Sequence, residues 1–271
     1  MDGIALGAET IFYIFGFPVT NAFFVQVVLS IALMVFLIIA TKKLKPRPSK
    51  RQMAFETIFN IILKNVDNVT GHREKTKKIL PFVATLFFYI LVCNFFAMVP
   101  GLSALSIRYG DGSVDLFRTA TSDYSKVFVM AFAVMLMSQF LFIFYNRLSG
   151  FRKQFLDFSS PVNVVLGLMN VIGEFSKVLS LSLRLFGNMF AGEVLAAVMI
   201  FLVPFIAPLP FSFLGILTAA IQAFVFSVLS TVYLSQALQT PEADKKFAKI
   251  EKKRHVESLG DFGDLKIEVL N

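Results

Sequence analysis

Five apolar runs, at about residues 20–40, 80–99, 126–146, 162–203 and 209–239, dominate the chain. Each reaches the ~20 residues that a helix needs to cross ~30 Å of hydrocarbon. In lipid every backbone N–H and C=O has to be satisfied internally, which leaves helices as the spanning form for runs of this length. With 56% hydrophobic residues, 33 phenylalanines among 271 residues and a mean hydropathy of +0.71, the chain is too apolar for a soluble domain. The expected class is an all-α polytopic membrane protein with five membrane-embedded helices. Its single cysteine, Cys93, excludes an internal disulfide, and His72 and His255 are too far apart in polar segments to form a metal cluster. No nucleotide motif and no cofactor signature is present.

Lysine and arginine alternate between the connecting segments in the way that sets membrane orientation. Residues 41–79 hold eleven Lys/Arg against three acids, and 147–177 hold four against two. Residues 1–19 hold no basic residue, and 100–125 hold only Arg108 and Arg118 against Asp111, Asp115 and Asp123. This pattern predicts an external N-terminus and a cytoplasmic C-terminus. The N-terminus has no basic region of the signal-peptide kind, so the first run is expected to stay as a span. Between the first two spans, Phe55, Ile58, Phe59, Ile62 and Val66 recur at helical spacing opposite Gln52, Glu56, Asn60 and Lys64, which predicts one interfacial amphipathic helix. The Pro-broken basic linker before it reads as a topology signal against anionic headgroups, with nothing to support nucleic-acid binding. Residues 1–240 read as one membrane domain. Residues 241–271, with seven basic and seven acidic side chains, read as a charged, solvated cytoplasmic extension.

The fourth run has no internal proline from Val162 to Val203. As one helix it would be ~60 Å long at 1.5 Å per residue, so it either breaks or lies steeply tilted. Within it stands Arg184, the only cation of residues 178–203. A charge at mid-bilayer costs from ~3 to more than ~10 kcal/mol, so such an arginine usually faces protein or water and has a function. Arginine keeps its proton, so Arg184 suits holding a carboxylate ionised and does not suit relaying a proton. Ser180, Arg184 and Asn188 follow at four-residue steps and share one stripe, where small residues admit a close neighbour. Glu193 is half a turn out of phase with Arg184 and ~13 Å along the axis, too far for an ion pair. A carboxylate at that depth without a cation partner is suited to taking and releasing protons. Glu174 and Lys177 lie one turn apart, as a structural pair or as part of a path. On the fifth run most hydroxyls are expected to bond back to the preceding turn, whereas Gln222, a buried amide, needs several partners.

The segment LSLSLRLFGNMFAGE at 179–193 and the segment IQAFVFSVLSTVYLSQA at 221–237 resemble the a subunit of bacterial F-type ATP synthases. The order of hydrophobic segments over residues 20–240 resembles it too. That resemblance implies a stator that pairs with a ring of rotor c subunits and with peripheral-stalk b subunits in the bacterial plasma membrane, and that binds no nucleotide itself. It implies that the last two helices form a long tilted hairpin along the ring, with two aqueous half-channels and Arg184 as the fixed cation gating a rotor carboxylate. It also implies that Gln222 packs beside Arg184, that Glu193 lines the proton path, and that Asn94 and Asp123 lie near the outer access channel. From the residues alone, Asn94 reads equally as interhelical glue. One departure stands out: Gly215 occupies the position where many members of the family carry a histidine or an acid. Two other readings compete. A self-contained secondary transporter would show an internal repeat or paired broken helices, which are not visible. A non-transporting scaffold would not need Arg184, Gln222 and Glu193 inside apolar helices.

Overall fold

A computed structural model describes residues 10–14, 17–42, 49–97, 106–109, 112–115, 123–155, 159–202, 208–240 and 243–250. The basic linker at 43–48, residues 203–207 and the tail beyond 250 lie outside the described residues, as does the side chain of Glu193. Helices α1 (Asn21–Lys42), α3 (Arg73–Ala97), α4 (Tyr124–Phe155), α5 (Pro161–Leu202) and α6 (Pro208–Leu238) correspond to the five apolar runs. Helix α2 (Lys50–Thr70) is the amphipathic one, and a short α7 covers residues 243–250.

Two small antiparallel hairpins are additions that the apolar pattern did not announce. Strand β1 (Thr10–Ile14) pairs with β2 (Phe17–Thr20) before α1, and β3 (Ser106–Tyr109) pairs with β4 (Gly112–Asp115) between α3 and α4. Both lie outside the apolar helices, and in each the two strands satisfy part of one another's backbone.

Helix α2 starts where Ser49, in an extended conformation, accepts a hydrogen bond from the Gln52 amide at 3.4 Å. It stops at Gly71, whose φ of +67° suits a residue without Cβ and whose amide donates to the Asp67 carbonyl at 2.9 Å. Its inner face is not laid on lipid. Ile62 and Val66 are buried, and Phe55 stacks on Phe88 of α3 at 5.4 Å. Ile58, assigned by periodicity to that same face, is exposed beside Met53 and Ile61. The helix therefore packs on α3 and α6 while keeping a second apolar strip outward.

Helix α3 is the central element and packs on α1, α2 and α6; half of its apolar window is buried, against 17% for α1 and 17% for α5. Its first two turns lie before the apolar run, and they bury Lys75. Helix α5 is unbroken over 42 residues, which settles the alternative left open by its sequence. At ~63 Å it exceeds the ~30 Å core twofold, so it stays in hydrocarbon only by lying obliquely. It leans on α4 and α6. The α4–α5 junction is tight: a Cβ on Gly167 would stand 2.8 Å from the Phe155 carbonyl oxygen, and Asn170 Nδ2 donates to the Gln154 carbonyl at 3.0 Å.

Candidate functional site

Three of the residues singled out above, Asn188, Gln222 and Asn94, converge from α5, α6 and α3. Asn188 lies one turn beyond Arg184 on α5, and its Nδ2 donates to Gln222 Oε1 on α6 at 2.7 Å. Gln222 is 3% exposed, and its Nε2 has no hydrogen-bond partner among the described residues. One turn before it on α6, the Ala219 carbonyl accepts from Asn94 Nδ2 of α3 at 3.2 Å. Asn94 is fully buried, and its Oδ1 likewise lacks a partner among the described residues. Two amides thus tie three helices together at one depth, each with one polar atom to spare, and in such surroundings an unused donor or acceptor is strongly disposed to take a partner.

Ser180, Arg184 and Asn188 do share one stripe, and that stripe is exposed. Gly187 and Ala191 continue it, and Leu183 flanks it at 55% exposure; on α6, Leu214, Leu217 and Ile221 are exposed as well. Arg184 makes no side-chain hydrogen bond or ion pair among the described residues. The bundle leaves its fixed cation on an open apolar face. Gln222 spends its amide oxygen on Asn188, one turn from Arg184, and no hydrogen bond joins Gln222 to Arg184 among the described residues.

Asp123 stands just before α4 and caps it: its Oδ1 accepts from the Ser125 amide at 3.0 Å and its carbonyl from the Lys126 amide at 3.1 Å. The ring of Tyr124 meets Phe186 of α5 edge-on at 5.5 Å, which sets Asp123 near the level of the Arg184 stripe. Gly215 lies on the α6 backbone less than one turn before Thr218. The fifth-span hydroxyls behave as expected, with Thr218, Ser227, Ser230 and Thr231 donating to carbonyls of the preceding turn.

A second polar group was left undecided by the sequence. Lys177 pairs with Glu174 at 2.7 Å, reaches Gln236 Oε1 at 3.2 Å and lies over the Tyr233 ring at 5.3 Å. Glu174, Lys177 and Tyr233 line, with Ser138, a cavity of about 10 Å³ between α4, α5 and α6, room for about one water. Ser138 Oγ donates to the Tyr233 carbonyl at 3.2 Å. Its only sequence signal was a serine amid apolar residues, which by itself says nothing about a partner 95 positions away.

The fold is that of a polytopic helical membrane protein, with an arginine unpaired among the described residues on an open helix face and amide-linked helices behind it. The sequence profile of the family described as ATP synthase A chain matches residues 22–235. The chain is similar to "ATP synthase subunit a 2" of Picosynechococcus sp. (strain ATCC 27264 / PCC 7002 / PR-6), with 33% identity over 235 residues, covering 86% of this chain and 92% of that protein. It is also similar to "ATP synthase subunit a" of Nitrosospira multiformis (strain ATCC 25196 / NCIMB 11849 / C 71), with 31% identity over 235 residues, 84% of each chain. The chain belongs to the ATP synthase A chain family.

Proposed function

We propose that this chain is the proton-translocating stator subunit of a rotary F-type ATP synthase, in which Arg184 gates the protonation of a carboxylate carried by a ring of rotor c subunits. The observation that carries the reading is the exposed, unpaired position of Arg184 on an oblique helix whose stripe is lined by Ser180, Gly187 and Ala191. A cation held at that depth calls for an anion from outside the bundle, and small side chains allow a neighbouring helix to bring one close.

A rotor carboxylate loses its proton beside Arg184 and passes as an anion. At an effective dielectric of ~20, opposite charges ~4 Å apart attract by ~4 kcal/mol, enough to favour the ionised form strongly. The same charge bars a proton from running straight through. Asn188, held by Gln222, keeps the next turn of α5 fixed against α6, so the guanidinium is presented from a rigid element. Glu193, Asn94 and Asp123 form the outer half-channel in this reading. The work per proton comes from the membrane potential, ~2.3 kcal/mol per 100 mV, and ATP chemistry belongs to other subunits. The peripheral-stalk b subunits hold the chain in the bacterial plasma membrane, with its N-terminus outside and C-terminus cytoplasmic.

The test is Arg184→Ala in the assembled complex. ATP-driven proton pumping by inverted membrane vesicles is expected to vanish and passive proton leak to rise, with assembly unchanged. Lysine is expected to rescue poorly, because it offers a point charge where arginine spreads five donors in a plane. Normal pumping by an assembled Arg184→Ala complex sinks the mechanism. Ion movement by the chain reconstituted alone would favour a self-contained transporter instead.

A further inference from the structure

The segment after α6 carries charge enough to read as solvated, yet it folds back onto the bundle. Thr240 opens it: its carbonyl accepts from the Asp244 amide at 2.9 Å and its hydroxyl from the Ala243 amide at 3.4 Å, which starts α7. The Thr240 hydroxyl also bonds Asn146 Oδ1 of α4, and Asn146 is itself buried. From α7, Ala243 is fully buried and Phe247 is 5% exposed, stacked on Tyr145 of α4 at 4.9 Å.

Two charges explain why the segment stays. Lys75 of α3 is buried, its side chain only 4% exposed, and its Nζ meets Asp244 Oδ1 at 2.6 Å. Without Asp244 that ammonium would be a buried and uncompensated charge, which is strongly destabilising. Lys246 Nζ donates to the Tyr145 carbonyl at 2.7 Å and the Phe144 carbonyl at 3.1 Å, two consecutive acceptors on α4.

We infer that Thr240 and the helix at 243–250 are a latch that binds the start of α3 and the ends of α4 and α6 together and stays closed while the protein works. It joins α3 through Lys75, α4 through Asn146, Phe144 and Tyr145, and α6 by direct continuation. The latch does not depend on the stator reading, and its first test needs no pumping.

The charges are exchanged in the intact complex. Lys75→Glu alone and Asp244→Lys alone are each expected to lower the heat-aggregation midpoint of the subunit and to speed tryptic cutting at Lys246. The double exchange should regain most of both. Failure of the double exchange to recover, or an Asp244→Lys subunit as stable and as protected as the parent, overturns the latch. A second arm puts cysteines at Lys75 and Asp244 in a Cys93→Ser background and joins them with a short bismaleimide. ATP-driven pumping after joining is expected to match that of the unjoined sample. If bridging does not occur, or if it halts pumping while assembly persists, the closed latch is refuted.

Discussion

Gln222 and Asn188 share one hydrogen bond, yet replacing either by leucine should move stability in opposite directions. Gln222 is 3% exposed and spends one amide oxygen on Asn188 at 2.7 Å, while its Nε2 has no partner among the described residues. Gln222→Leu removes a net hydrogen bond worth about 1 kcal/mol, and it also removes an unpaired buried donor that costs about 1–3 kcal/mol. The expected change lies between neutral and a stabilisation of about 2 kcal/mol, and leucine fills a similar volume on a helix. Asn188 is exposed, so Asn188→Leu gains nothing from desolvation at its own site and leaves the whole buried Gln222 amide unpaired. That change should destabilise by about 1–3 kcal/mol. Both variants should nonetheless slow ATP-driven pumping, because each frees the turn of α5 next to Arg184. The assay is the heat-aggregation midpoint of the detergent-solubilised complex, run beside vesicle pumping on the same preparations. A Gln222→Leu midpoint well below that of Asn188→Leu would refute the assignment of the buried amide as the strained partner.

Glu193→Gln is expected to slow coupled proton flux, and adding Gly215→His should restore part of it by supplying a second titratable group to the outer path; parental flux in Glu193→Gln vesicles would return Glu193 to a structural role. Asp123→Asn keeps a side-chain oxygen for the Ser125 amide and so should leave amide-exchange protection of the first α4 turn intact while slowing pumping. Asp123→Ala should lose both, with a local cost of about 1 kcal/mol for the missing cap. Gly167→Val would drive a Cβ into the Phe155 carbonyl at 2.8 Å; the overpacked junction should cost about 1–3 kcal/mol, read as a lower aggregation midpoint and yield.

The five apolar helices, the amphipathic α2 and the helical class were legible in the chain itself, because each rests on composition and periodicity within a single segment. The oblique course of α5 was half legible: an uninterrupted apolar run of that length fixed the choice between a break and a tilt, and the absence of a break in Pro161–Leu202 decided it. The stripe of Ser180, Arg184 and Asn188 followed from a four-residue step, and its exposure from nothing in the sequence. What Gln222, Asn94 and Lys177 bond to depends on how far α3, α5 and α6 rotate and slide against one another, quantities no local pattern carries. So Gln222 bonds Asn188, Asn94 bonds a backbone carbonyl 125 residues away, and Ile58 of α2 turns outward. The tail shows the limit most sharply. Its charge balance describes a solvated extension, and nothing in that balance announces that Asp244 pairs with a buried Lys75 on a distant helix or that Lys246 reaches two carbonyls of α4.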